Sequence, residues 1–167
     1  MIENPSSEPD VSSPPDTARG HFDQILRKKP ANGLMVLLLE DEPLIAIDVA
    51  STLGDGGYDV SSVMSCHDAG IWLDAHRPDV VIADINLRDG PCTDVVLRLV
   101  DADIPFVIFS GDHPSRYLNG PFMHGAWVIK PASPKDLLRA VNAALGSKVS
   151  NIENRAAQSL ADAADRY

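Results

Sequence analysis

From residue 34 onward the chain alternates short apolar runs with segments whose apolar residues recur at helical spacing. Leu34–Leu39 (LMVLLL) is a continuous apolar run, the pattern of a strand covered on both faces. Pro43–Leu53 (PLIAIDVASTL) has proline in its first turn and predicts a helix with Leu44, Ile47 and Ala50/Ser51 facing inward. Gly54, Gly56 and Gly57 are expected to break it. Tyr58–Val63 predicts a second strand, Cys66–Ala75 a helix and Asp79–Ala83 (DVVIA) a third strand. A polar loop, Asp84–Pro91, leads to a helix over Thr93–Val100, and Pro105–Phe109 (PFVIF) predicts a fourth strand. Residues 111–121 (GDHPSRYLNGP) are rich in turn formers and read poorly as a helix. Ala126–Ile129 (AWVI) predicts the fifth strand and Pro134–Leu145 the closing helix.

Regular β/α alternation gives a parallel sheet covered on both faces. Five strands in about 110 residues favour a flavodoxin-like, doubly wound α/β fold with strand order 2-1-3-4-5. Helix four is expected to be weak or replaced by a loop. The domain is read as residues 34–146, flanked by an N-terminal extension, 1–33, and a C-terminal tail, 147–167. Residues 1–19 hold four of the thirteen prolines among Ser, Glu and Asp, a composition expected to be disordered. In residues 20–29 (GHFDQILRKK), Phe22, Ile25 and Leu26 stand at i, i+3 and i+4, so one short amphipathic helix can form and dock on this domain or on a partner. Pro30, Asn32 and Gly33 end it. In the tail, Ile152, Ala156, Leu160 and Ala164 recur every four residues, a mostly alanine stripe that supports at best a marginal helix. A tail this short is expected to hold no DNA-binding or catalytic domain, so any such activity is expected from another protein.

Charge narrows the range of partners. Of the net −10, residues 34–146 carry −9, from 16 acids and 7 bases. A domain that acidic repels nucleic acid and anionic membrane and tolerates a bound cation. No run approaches the roughly 18 apolar residues of a membrane span. The N-terminus, MIENPSSEPDVSSPPD, lacks the basic start and apolar core of a secretory signal, so a cytoplasmic location is expected. Cys66 and Cys92 form no CxxC and are expected to be free thiols. The five histidines, His21, His67, His76, His113 and His124, show no ligand spacing and read as surface or loop residues.

In such folds ligands bind beyond the carboxyl ends of the strands, where the strand order reverses. Strand one ends in Glu40-Asp41-Glu42 and strand three in Asp84, so these carboxylates converge on one crevice. Carboxylates pressed together repel unless a cation or proton intervenes, and an all-oxygen ligand set of this size favours Mg²⁺. Strand four delivers Ser110-Gly111 and strand five Lys130-Pro131 to the same edge. Gly111 keeps the approach open. A carboxylate nucleophile, a metal site, a hydroxyl and an ammonium suit phosphoryl transfer.

Together LLLEDEP, VVIADINL, FVIFSG and WVIKP, each at a strand end and in this order, resemble the response-regulator receiver family over roughly residues 34–146. The resemblance implies that Asp84 is the phosphoacceptor. It implies that Asp41 holds Mg²⁺ directly and Glu40 through water, with the backbone carbonyl of Asn86 as a further ligand. Ser110 corresponds to the switch hydroxyl and Lys130 to the lysine that contacts the phosphoryl group, with a cis Lys130–Pro131 bond. Trp127 stands where the family has its switch aromatic. Pro105-Phe106 and Phe109-Ser110-Gly111 are similar to the alphaproteobacterial subfamily named for its Phe-Ala-Thr-Gly motif.

The function this implies is a single-domain response regulator, a signalling protein rather than a metabolic enzyme. It would be phosphorylated on Asp84 by a sensor histidine kinase or phosphotransfer protein and would act on an unknown downstream protein as a monomer or weak homodimer. The alternative is a pseudo-receiver that binds partners without phosphorylation. An aspartate-nucleophile phosphatase of the haloacid dehalogenase type would need an acid where Asn86 stands. A flavin phosphate would meet three carboxylates after strand one instead of hydroxyls and amides.

Overall fold

The computed structural model describes residues 33–146. The readings of a disordered segment over 1–19, of a helix over 20–29 and of a helix in 147–167 lie outside the described residues. Five strands, β1 (Met35–Leu39), β2 (Asp59–Val63), β3 (Val80–Ala83), β4 (Phe106–Ser110) and β5 (Ala126–Ile129), form one sheet in the order β2-β1-β3-β4-β5. Every pairing is parallel. Helices α1 (Pro43–Asp55), α2 (Cys66–Ala75), α3 (Thr93–Asp101) and α4 (134–146) cover it. This is the expected doubly wound, flavodoxin-like α/β fold. In place of a helix between β4 and β5 stand two 3₁₀ turns, Pro114–Arg116 and Pro121–His124.

The apolar strands divide their side chains between two cores, as the two-residue period requires. Leu37, Leu39, Val81, Ala83, Phe106 and Ile108 pack on one face beneath α2 and α3. Val36, Leu38, Val80, Ile82, Val107 and Phe109 pack on the other with Val49, Leu53, Leu137 and Val141 of α1 and α4. Ser65 caps α2: its Oγ accepts the Asp68 N–H at 3.0 Å and donates to Asp68 Oδ2 at 2.6 Å.

One helix face differs from the expectation. Leu44 and Ile47 do not point inward; they are 83% and 66% exposed. The face of α1 that meets the sheet carries Val49 and Leu53, with Ile45, Ala46 and Ala50 packed beside them. That stripe has five members against three for Leu44, Ile47 and Ser51, so rotating α1 toward it buries more apolar surface. The polar loop after β3 is also more ordered than expected. Asn86–Leu87 and Gly90–Pro91 pair as a short antiparallel hairpin, with Ile85 and Leu87 buried. The helix also continues through Gly54 to Asp55.

Two glycines separate packing from propensity. A Cβ on Gly125 would stand 2.4 Å from two ring carbons of Phe106 and 2.9 Å from its carbonyl oxygen, whereas one on Gly54 would meet nothing within 4 Å. Gly125→Ala is expected to cost about 1–3 kcal/mol by overpacking. Gly54→Ala, inside a helix, is expected to stabilise by about 0.4–1 kcal/mol. Urea unfolding midpoints of the two variants test both signs.

Candidate functional site

Sheet register puts the functional groups at one level. Leu39 lies opposite Ala83, and Ser110 opposite Ile129. Glu40, Asp84 and Lys130 are each the first residue beyond their strand, and Ser110 is the last of β4. The ladder continues one step past the strands: the Asp84 N–H donates to the Leu39 carbonyl at 3.0 Å and the Lys130 N–H to the Ser110 carbonyl at 2.9 Å. The Lys130–Pro131 peptide bond is cis.

The side chains meet over that edge. Lys130 Nζ donates to Glu40 Oε2 at 2.6 Å and to Asp84 Oδ2 at 2.7 Å. It also lies 5.2 Å from the centre of the Phe109 ring. Ser110 Oγ donates to Asp84 Oδ1 at 2.7 Å, and the Ile85 N–H donates to the same oxygen at 2.6 Å. Glu40 is almost wholly buried, at 1% exposure, and its Oε1 accepts the Glu42 N–H at 3.2 Å. Burial pushes the Glu40 carboxyl above its ordinary range, against the pull of Lys130. Burial works against the charge on Lys130 too, but its bonds to Asp84 and Glu40 outweigh that and raise its pKa.

The structure thus brings Glu40, Asp84, Ser110 and Lys130 into one hydrogen-bonded group. Asp41 stands half-buried on the β1–α1 loop, with no hydrogen bond or ion pair among the described residues. The Asn86 side chain turns away from the group, donating to Asp112 Oδ2 at 3.3 Å. Trp127 is half-buried beneath the 3₁₀ turns: its Nε1 donates to the Phe122 carbonyl at 3.3 Å, and its ring lies 5.7 Å from that of Tyr117. Gly111 has open space around it, so a Cβ there would meet only an incoming group. His67, His76, His113 and His124 are exposed, and His21 lies outside the described residues.

Three supporting residues escape a reading of the sequence. Cys92, fully buried, donates its thiol to the Asp84 carbonyl at 2.6 Å, and burial holds that thiol protonated. Asp89 accepts the N–H groups of Cys66 and His67, both at 2.9 Å, tying the loop after Asp84 to the start of α2. These two bonds, Cys66 first, hold its carboxyl below the usual range. Asp112 accepts from Tyr117 Oη at 2.6 Å, Arg116 Nη1 at 2.7 Å and the Asn86 amide. The Tyr117 hydroxyl does most to lower its pKa. The Asp112–Arg116 pair, four residues apart, leaves a sequence signal, whereas Asp89 and Asn86 reach partners 22 to 26 residues away.

The sequence profile described as response regulator receiver domain matches residues 36–142. The chain belongs to the response-regulator receiver family. The receiver is 33% identical over 115 residues to the phyllosphere-induced regulator PhyR of Methylorubrum extorquens, a match covering 66% of this chain and 43% of PhyR. It is 30% identical over 116 residues to the transcriptional regulatory protein PdtaR of Mycobacterium tuberculosis, covering 66% of this chain and 56% of PdtaR. It therefore spans about half the length of these relatives. Among solved structures it resembles the chemotaxis response regulator CheY4 of Vibrio cholerae, with a TM-score of 0.60 and 25% identity over 66% of this chain and 98% of that one. A CheY-like receiver from Methanospirillum hungatei shares the fold, with a TM-score of 0.64 and 18% identity over 71% of this chain and 98% of that one.

Lys130 separates two carboxylates, so removing it should expose their repulsion. Lys130→Met is expected to cost about 3 kcal/mol, the low end for breaking a buried pair because Lys130 and Asp84 keep 14% and 15% side-chain exposure. Adding Glu40→Gln should recover part of that loss, a coupling of at least about 0.5 kcal/mol in a double-mutant cycle. The pH dependence has a definite sign. The folded pKa of Lys130 lies above its ordinary 10.5, so its contribution is full below that pH and fades as pH rises through the folded value. The stability gap between wild type and Lys130→Met should therefore narrow in strongly alkaline solution, and also in acid, where Glu40, its carboxyl raised by burial, takes up a proton and the repulsion is relieved, as denaturant midpoints would show.

Proposed function

We propose that this receiver accepts a phosphoryl group on Asp84 from a histidine kinase or phosphotransfer protein in the cytoplasm, with Mg²⁺ bound, and that the acyl phosphate changes which protein it binds. The observation that carries this reading is the convergence of Ser110 and Lys130 on the two oxygens of one strand-end carboxylate, Asp84. In the transfer a carboxylate oxygen of Asp84 attacks phosphorus, the phosphorus–nitrogen bond to the donor histidine breaks, and the imidazole leaves with the bonding electrons. The Lys130 ammonium then balances charge on the transferred group, and the Ser110 hydroxyl, released from the carboxylate, donates to one of its oxygens.

No three acidic, histidine or cysteine side chains among the described residues are grouped to hold a metal by themselves. Magnesium fits such a site, because it takes one or two carboxylates and keeps several waters. Asp41, whose carboxylate is unengaged among the described residues, and Asp84 would supply those carboxylates, with the Asn86 backbone carbonyl beside them and Glu40 acting through water. Glu40, Asp41 and Asp84 against the single ammonium of Lys130 leave two excess negative charges to attract a cation. Bound there, Mg²⁺ would neutralise charge on the phosphoryl oxygens.

A second reading, a phosphorylation-independent interaction module, draws on the closed network around Asp84 and on Trp127, which is pinned by its indole bond rather than free to swing. The two readings part under beryllofluoride with Mg²⁺, an acyl-phosphate mimic. Phosphoacceptor function predicts a saturable, Mg²⁺-dependent change in tryptophan fluorescence in wild type, lost in Asp84→Asn and weakened at least tenfold in apparent affinity in Asp41→Ala. Equal responses from wild type and Asp84→Asn would leave the interaction module as the function.

A further inference from the structure

Besides Ile71 on α2 and Leu97 on α3, exposed large apolar side chains among the described residues lie at two places. One comprises Leu118, Met123 and Ile129, 65%, 41% and 44% exposed, on the 3₁₀ turns and β5. The other is the outer face of α1, with Leu44 and Ile47. On that face Leu44, Ile47, Asp48, Ser51 and Asp55 follow one another at helical spacing, and all five are exposed. Its charge is uniform: Glu42, Asp48 and Asp55 lie on or beside α1, which carries no lysine or arginine. None of these three acids has an ion-pair partner among the described residues.

We propose that residues 20–29 of this same chain dock on the outer face of α1, with Phe22, Ile25 and Leu26 against Leu44 and Ile47 and the following Arg27, Lys28 and Lys29 against Asp48 and Asp55. Charge complementarity supports the pairing: residues 19–29 carry four bases, Arg19, Arg27, Lys28 and Lys29, and one acid, Asp23, so they are attracted to Asp48 and Asp55, which have no ion-pair partner among the described residues. The tether permits it. Residues 30–33 span up to about 13 Å and ten further residues add about 15 Å even at the short rise of a helix, whereas Asp55 to Leu44 along α1 is about 17 Å. In a β/α unit α1 runs back antiparallel to β1, so its Asp55 end lies near where the N-terminal segment joins the sheet. Gly33, with φ +66°, allows the chain to bend sharply at that junction. The contact buries two exposed apolar residues in cis and needs no second copy. It does not depend on phosphorylation of Asp84.

Backbone amide chemical shifts of the full chain provide the test. The double variant Phe22→Asp/Leu26→Asp is expected to shift the amides of residues 44–51 while leaving 118–129 unchanged, with the same monomer mass by sedimentation. Lys28→Glu should reproduce part of that shift, and Asp48→Lys added to it should restore the wild-type positions. Unmoved 44–51 amides, or shifts confined to 118–129, would overturn the proposal. So would a concentration-dependent dimer in wild type that the double variant abolishes, since the segment would then dock on another copy.

Discussion

One ammonium group sits between two carboxylates that the fold forces together. Parallel pairing of β1 with β3 places Glu40 and Asp84 side by side at one end of the sheet, one of them almost wholly removed from water. In that setting like charges are tolerated with a cation or a proton between them. Lys130 supplies it from β5, two strands away from β3, with contacts of 2.6 and 2.7 Å. The rest of the site is arranged around this bridge: Ser110 and the Ile85 amide satisfy the other oxygen of Asp84, and the Cys92 thiol holds its backbone carbonyl. Each partner reduces the freedom of Asp84 without covering the crevice above it.

The β1, β3 and β4 runs were legible because a strand buried on both faces has to be apolar throughout, and little else in a soluble chain is. LMVLLL, DVVIA and PFVIF announce themselves in that way. The meeting of Glu40, Asp84, Ser110 and Lys130 at one edge was legible for a related reason, since a polar residue at the end of such a run must stand at the open end of the sheet. Helix orientation was less so. In α1 both faces carry large apolar residues, Leu44 and Ile47 on one and Ile45, Val49 and Leu53 on the other, and the second packs on Leu38, Ile82 and their neighbours. The supports of the loop after Asp84 were hidden altogether. Asp89 reaches 23 residues back to Cys66, and Asp112 is reached from Asn86, 26 residues earlier; no local periodicity encodes such pairs.

The segment between β4 and β5 shows how a doubly wound fold accommodates a missing helix. Tyr117, Phe122 and Trp127 form an aromatic cluster, with Tyr117 edge-on to Phe122 at 5.3 Å. Phe122 enters the same core as α2 and α3, so the turns close the sheet as a helix would, with fewer backbone hydrogen bonds. Asp112 links this cluster to the loop after Asp84 through Asn86. A change at Asp84 and a change in the packing of Trp127 are therefore separated by only a few side chains.

The strand register has a consequence for partly folded chains. The carboxylates, the hydroxyl and the ammonium lie at or just past the ends of four different strands, and no contiguous stretch carries two of the essential groups in working relation. Sliding one strand by a single residue would turn its contribution to the opposite face of the sheet. An intermediate lacking only β5 would keep most of its apolar core but would leave Glu40 and Asp84 facing each other without a counter-charge. Assembly of the group around Asp84 is thus a property of the completed sheet alone, and a half-folded copy would lack the arrangement on which the proposed phosphoryl transfer depends.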